Sequence, residues 1–130
     1  MVSDRVGDFI IRLKNASVVK KESVSVPYSK HLAAIAKKLK EIGFVSEVKE
    51  EGKEKKNLIV TLAYDERGVP KIRGVRRSSK PGRRFYVSHR DVHQVKGGTG
   101  ARLISTPRGV VTDSEARRDR VGGEALFLIW

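Results

Sequence analysis

Between residues 4 and 17 the apolar positions Val6, Phe9, Ile10 and Leu13 recur at i, i+3, i+4 and i+7. That spacing puts four side chains on one face of a helix, with Ser3 or Asp4 available to cap its start. Arg12 and Lys14 fall off the stripe. The period then drops to two. Ser23-Val24-Ser25-Val26-Pro27 alternates and ends on a residue with no N–H to offer a neighbour, so residues 23–27 are predicted to form a short edge strand. Helical spacing returns after Tyr28-Ser29-Lys30: Leu32, Ile35, Ala36, Leu39 and Ile42 form a stripe, Lys37, Lys38 and Lys40 lie off it, and Gly43 supplies a stop. Two strands are predicted at 44–49 and 58–64, joined by an exposed loop of mixed charge. In the second strand Leu58, Val60, Leu62 and Tyr64 share one face and Ile59, Thr61 and Ala63 the other. A strand apolar on both faces belongs in the middle of a sheet.

The stretch Asp65-Glu66-Arg67-Gly68-Val69-Pro70 breaks the pattern and marks a boundary. Beyond it, Lys80-Pro81-Gly82-Arg83 has proline and glycine at the two central positions of a type II turn. Strands at 72–77 and 84–88 are expected to pair across that turn as a hairpin, followed by a short helical turn over 89–95. Gly98-Thr99-Gly100 reads as a tight turn, residues 101–104 as a short strand, and Ser105-Thr106-Pro107-Arg108-Gly109 as a second turn with Pro107 in its second position and Gly109 in its fourth. Thr112-x-x-Glu115 is a capping box that starts a short helix, with Ala116 inward and Arg117, Arg118 and Arg120 outward. Gly122-Gly123 allows a tight bend before a last strand at 124–130. The pattern as a whole predicts an α+β fold of two small α/β lobes. The first, residues 1–66, is an α-β-α-β-β lobe; the second, residues 67–130, is mostly β with a short helix.

Charge adds what periodicity does not show. The 130 residues carry 28 Lys and Arg against 15 Asp and Glu, a formal +13. Residues 1–66 hold 13 basic and 10 acidic side chains, whereas residues 67–130 hold 15 and 5, so the excess is +3 in one lobe and +10 in the other. Such an excess calls for a polyanion, with nucleic acid ahead of an anionic membrane surface, and it should meet the second lobe. No apolar run approaches the roughly 18 residues of a spanning helix, and Asp4 and Asp8 around Val6 do not resemble a signal peptide, so the expected location is the cytoplasm. Without cysteine there is no disulfide, thiolate zinc site or cysteine nucleophile. His31, His89 and His93 show no metal-type spacing with carboxylates.

The candidate chemistry gathers in the second lobe. Residues 71–90 contain eight basic side chains and no acidic one, and within them Arg84 and Tyr86 alternate onto one face. A guanidinium beside an aromatic ring suits a nucleotide: arginine bridges phosphates, and tyrosine stacks on or hydrogen-bonds to a base or ribose. The adjacent hydroxyls of Ser105 and Thr106, on a glycine-bounded turn beside Arg108, can donate to and accept from base edges, ribose hydroxyls and phosphates. Two enzymatic readings lack parts. Gly98-x-Gly100 has no Lys-Ser/Thr pair to complete a phosphate loop, and Ser105 as a nucleophile would need a base from His89 or His93 and an orienting carboxylate from Asp113, Glu115 or Glu124. A general basic nucleic-acid-binding assembly factor remains the alternative to a specific RNA binder.

Several motifs lie in register from end to end: residues 4–15, Pro27-x-Ser29-Lys30, Gly43-Phe44, Pro81-Gly82-x-Arg84-x-Tyr86, Gly98-x-Gly100, Ile104-Ser105-Thr106-x-Arg108-Gly109-Val110-x-Thr112-Asp113-x-Glu115-Ala116-Arg117 and Gly122-Gly123-Glu124. With them the chain resembles the bacterial family of the eighth protein of the small ribosomal subunit. The resemblance implies a non-enzymatic ribosomal protein of two small lobes, without cofactor. It would bind the central domain of small-subunit ribosomal RNA early in assembly and organise an irregular helix there. The RNA-reading loop falls on Ser105, Thr106 and Arg108, its supporting residues on Gly122, Gly123 and Glu124, the aromatic contact on Tyr86, and contacts from the first lobe around Ser29 and Lys30. Other implied partners are neighbouring small-subunit proteins and, as in many members, a look-alike site in the messenger RNA of the protein's own operon. The chain departs from the family at Pro107, where a second serine is usual, and at Arg5, where proline is frequent.

Overall fold

The computed structural model describes residues 4–93, 95 and 99–130, which gather into two units: Asp8–Arg73, and Gly74–Trp130 together with the start of the chain as far as Gly7. Helix α1 (Arg5–Val18) begins at the expected cap, where Asp4 Oδ1 accepts from Gly7 N at 3.1 Å. The alternative cap, Ser3, lies outside the described residues. In the Asp8–Arg73 unit, β1 (Ser23–Pro27), β2 (Val45–Glu51) and β3 (Asn57–Leu62) form an antiparallel sheet in the order β1-β3-β2. The strand with two apolar faces is the central one, and the proline-ended strand is at the edge, with Pro27 opposite Asn57. Helix α2 (Lys30–Glu41) starts where the Ser29 hydroxyl accepts from Leu32 N at 3.0 Å, and Gly43, at φ +88, ends it. The core joins Phe9, Ile10 and Leu13 of α1 and Leu32, Ile35 and Leu39 of α2 to Val26, Leu58 and Val60 of the sheet. Burying each such side chain is worth about 1.5–3 kcal/mol, more than a helix cap contributes, so the stripes decide the fold and the caps its boundaries.

The other unit is built around β8 (Gly123–Ile129), whose Ala125, Phe127 and Ile129 are fully enclosed. On one side it pairs with β6 (Ala101–Thr106), which continues through the turn into β7 (Gly109–Thr112). On the other side lie β4 (Val75–Arg77) and β5 (Tyr86–Val87), end to end along the same edge. This corrects the expected hairpin: 72–77 and 84–88 do not pair with each other, and each contributes a short segment that pairs with β8. The Lys80–Arg83 turn does form, with its two backbone bonds at 3.0 Å and Gly82 at φ +84, but it is the tip of an excursion from an edge strand. Ser79 closes the neck of that excursion. Its hydroxyl accepts from Phe85 N at 2.8 Å and donates to Phe85 O at 3.2 Å, while Ser78 N donates to Leu126 O and Ala125 N donates to Phe85 O. A central strand apolar on both faces needs a neighbour on each side, and β8 takes both basic segments for that purpose.

The helical turn after β5 is a single 3-10 turn, His89–Asp91, with Val92 already extended, so it is shorter than expected. Gly98 of the expected tight turn lies outside the described residues, as do Gln94, Lys96 and Gly97. Helix α3 (Asp113–Asp119) carries the complete capping box, Glu115 N to Thr112 Oγ1 at 3.3 Å and Thr112 N to Glu115 Oε1 at 3.1 Å. Its Ala116 packs with Ile104 and Val92. Among the described residues no helix is long and apolar enough to cross a membrane.

Candidate nucleic-acid interface

Strand register brings residues from three parts of the chain into one row. Tyr86 of β5 is opposite Glu124 of β8, Glu124 is opposite Ser105 of β6, and Ser105 is opposite Val110 of β7. Directly opposed residues project from the same face of a sheet with Cβ atoms roughly 5 Å apart, so ring, carboxylate and hydroxyl stand side by side. Arg84, just outside β5, adds its guanidinium, with Nη1 3.2 Å from Glu124 Oε2. The arginine is half exposed and the carboxylate much less so, which leaves Arg84 free to present further N–H groups outward while Glu124 holds it in place.

Gly122 and Gly123 make that row possible by their size. A Cβ on Gly123 would lie 2.1 Å from Ser105 O, and one on Gly122 2.5 Å from Val87 O. Neither glycine is among the positive-φ residues, so what the site needs from them is close approach of β8 to both neighbours, and the bend expected from the sequence is secondary.

The two hydroxyls of the turn differ. Thr106 is buried, and its Oγ1 donates to Gly109 O at 2.8 Å and accepts from Arg108 N at 3.1 Å. With Gly109 at φ +114, those bonds hold the two-residue link of Pro107 and Arg108 in place. Ser105 is half-buried, and its hydroxyl has no protein partner among the described residues. Ile104 precedes it in the strand and so faces the other way, into α3 and Val92. The capping-box helix and the Ser105 hydroxyl therefore lie on opposite faces of β6. Asp113 secures the helix to that strand: its buried carboxylate accepts from Arg102 N at 3.1 Å and from Arg117 Nη1 at 3.2 Å. At the other end of α3, a hydrogen bond from Arg118, with the positive charges of Arg118 and Arg108 adding to it, holds the Asp119 carboxyl below the usual carboxylate range.

Ser29 and Lys30 belong to the Asp8–Arg73 unit, outside the row. Ser29 is engaged as the helix cap and Lys30 is exposed. One residue escaped sequence reasoning: Phe85, 48% exposed, beside Tyr86 at 69%. Exposed rings in a run of eight cations without a carboxylate offer faces on which a base can stack, and the lack of acidic residues in that run is the sequence signal. Ser105 hydrogen-bonds to no histidine or carboxylate among the described residues, so the nucleophile reading gains nothing from the geometry, and no group of three metal-type ligands occurs among them.

A family model described as Ribosomal protein S8 matches residues 4–130. The chain is 44% identical over 131 residues to the small ribosomal subunit protein uS8 of Chloroflexus aurantiacus, covering 99% of this chain and 98% of the relative. It is 43% identical to the uS8 protein of Helicobacter acinonychis, with 100% of both chains covered, and 41% identical to that of Trichormus variabilis, with 98% of both covered.

Proposed function

The chain belongs to the ribosomal protein S8 family, and from that premise we propose that it binds the central domain of small-subunit ribosomal RNA and organises it during assembly. As a member it is a structural constituent of the small ribosomal subunit, acts in the ribosome and is not an enzyme. The observation that carries the RNA reading is the half-buried Ser105 hydroxyl, without a protein partner among the described residues, standing in one row with Glu124 and the exposed ring of Tyr86. A hydroxyl that both donates and accepts reads a base edge or ribose, a ring beside it stacks the base, and a guanidinium fixed by Glu124 takes a phosphate. Thr106 sets the turn, Arg108 at its tip meets the backbone, and Gly122 and Gly123 keep β8 close. Ser29 and Lys30 supply a further contact from the other unit. Neighbouring small-subunit proteins complete its surroundings, and a look-alike site in its own operon's messenger RNA is a second ligand for the same row.

Chemical footprinting on full-length small-subunit ribosomal RNA tests this. Protection should fall within the central domain, and Ser105→Ala should weaken it about tenfold, the effect of one lost hydrogen bond that leaves an RNA group unpaired. Protection spread evenly along the RNA, or competed away by unrelated duplex at moderate salt, would identify a general basic binder instead.

A further inference from the structure

The far end of the second unit's sheet carries a different and equally ordered arrangement. Gly74, Trp130 and Gly100 stand side by side at the ends of three neighbouring strands: Gly74 and Trp130 exchange two backbone bonds at 3.0 Å, and a Cβ on Gly100 would meet Trp130 Cβ at 3.1 Å. A Cβ on Gly74 would lie 2.5 Å from the indole Cζ2, so the ring lies over that glycine and is held there. Two residues further along each strand the register sets Arg76, Leu128 and Arg102 in a row. Since side chains alternate, this row shares a face with Trp130. The result is an indole flanked by glycines above a leucine flanked by two guanidiniums.

The niche has a volume of about 280 Å³, with Asp91, His93 and Val95 completing its wall. That is just below the range of about 300–1,000 Å³ for small-ligand pockets, room for part of a ligand. Arg102 is anchored through its main chain, whose N–H donates to Asp113, yet neither the Arg102 nor the Arg76 guanidinium has a protein partner among the described residues. Asp91 is the one acidic side chain in the wall, and its carboxylate already accepts from Ser88 Oγ at 3.0 Å. Two unpaired guanidiniums on either side of an apolar floor, beside a fixed aromatic ring, match the parts of a nucleotide: a phosphate for the pair of cations and a base for the ring. An acidic peptide would use the cations but leave the indole and Leu128 without a purpose.

We propose that Arg76, Arg102, Leu128 and Trp130 form a second RNA contact that takes one nucleotide, its phosphate between the guanidiniums and its base against the indole. It rests on the reading of the chain as an RNA-binding protein but not on the Ser105 row. Arg102 shares Ile104's side of β6, opposite to Ser105, and the register shift between Leu103 and Ile104, which leaves an extra residue in β8, puts Leu128 on Arg102's side although it lies four residues, roughly 13 Å, along β8 from Glu124. RNA would thus be held on both faces of one sheet.

Trp130 is the chain's single tryptophan, so its fluorescence reports this niche alone. Titrating the full chain with hexa-adenylate should quench that emission saturably. Arg76→Gln and Arg102→Gln should each raise the apparent Kd about tenfold, and Lys37→Gln, the same loss of charge at an exposed position of the other unit, should leave it unchanged. Arg76 is exposed, so its variant tests the proposal even if Arg102→Gln fails to fold, which circular dichroism reads. Quenching by oligoglutamate in preference to hexa-adenylate would overturn the proposal in favour of an acidic protein partner. Absence of quenching, while Ser105-dependent binding to central-domain RNA persists, would overturn the niche and leave the main function standing. Quenching that survives both arginine variants would also overturn it, because the cations would then have no part in binding.

Discussion

Ser105 and Thr106 are adjacent hydroxyls that serve different ends. The Thr106 oxygen is occupied inside the turn by Gly109 O and Arg108 N, whereas the Ser105 oxygen has no protein partner among the described residues. Removing them should therefore separate stability from binding. Thr106→Val keeps the branched shape but leaves a part-buried carbonyl and N–H unpaired, which costs about 1–3 kcal/mol. Ser105→Ala removes no bond within the protein and should stay within about 0.5 kcal/mol of wild type. Urea unfolding checks this, with a lower midpoint at unchanged m for Thr106→Val alone. Equal midpoints for the two variants would mean that the Thr106 bonds do not hold the turn. The proline at position 107 fits the same division: it fixes φ at the exposed tip of a turn whose hydrogen bonds come from Thr106.

At the scale of elements, the excursion between β4 and β5 shows what local sequence signals specify and what they leave open. The Pro81-Gly82 turn, the start of α2 after Tyr28-Ser29-Lys30, the Thr112 capping box and the centrality of β3 were all legible, because each depends on residues within a few positions or on the apolar character of a single strand. The partner of the basic segments was not, because a period of two looks the same whichever strand lies alongside. The Tyr86-Glu124-Ser105 row shares that limit: its members were separately readable, but their adjacency depends on β8 lying between β5 and β6. Pairing with β8 also makes Ser79 a positioning residue, since its buried hydroxyl bonds both N and O of Phe85 and so sets where Arg84, Phe85 and Tyr86 emerge. Ser79→Ala should weaken RNA binding severalfold although Ser79 itself is enclosed, and should speed hydrogen exchange at the Phe85 amide while the amides of β3 keep their protection. Unchanged exchange at Phe85 would show that the pairing with β8 holds the segment without Ser79.

For the whole molecule, the question is which of its cations act through the summed field and which through a defined contact. A net +13 attracts any polyanion, and +10 of it is concentrated in residues 67–130. Charged and neutral contacts differ in their response to salt. Each phosphate neutralised by a protein cation contributes about 0.7–0.9 to the slope of log K against log salt, whereas a neutral hydroxyl contributes nothing. Arg108, exposed at the tip of the β6–β7 turn, is the simple case, and Arg108→Ala should lower both affinity and slope by one such contact. Arg84 is the compound case. Its partner Glu124 is only about one-fifth exposed, and Arg84→Ala leaves that carboxylate facing the RNA unneutralised. The Arg84 variant should therefore lose more affinity than Arg108→Ala at low salt, with a slope lowered at least as much, and the additional change Glu124→Gln should recover part of the loss. Ser105→Ala in the same series should reduce affinity in parallel at every salt concentration. Binding isotherms of the four variants on central-domain RNA between about 50 and 200 mM salt make this separation, over a range in which multi-phosphate contacts change affinity by orders of magnitude. If Arg84→Ala and Arg108→Ala lose affinity in parallel with Ser105→Ala at every salt concentration, neither arginine neutralises a phosphate, and the ion pair with Glu124 serves the protein and not the RNA.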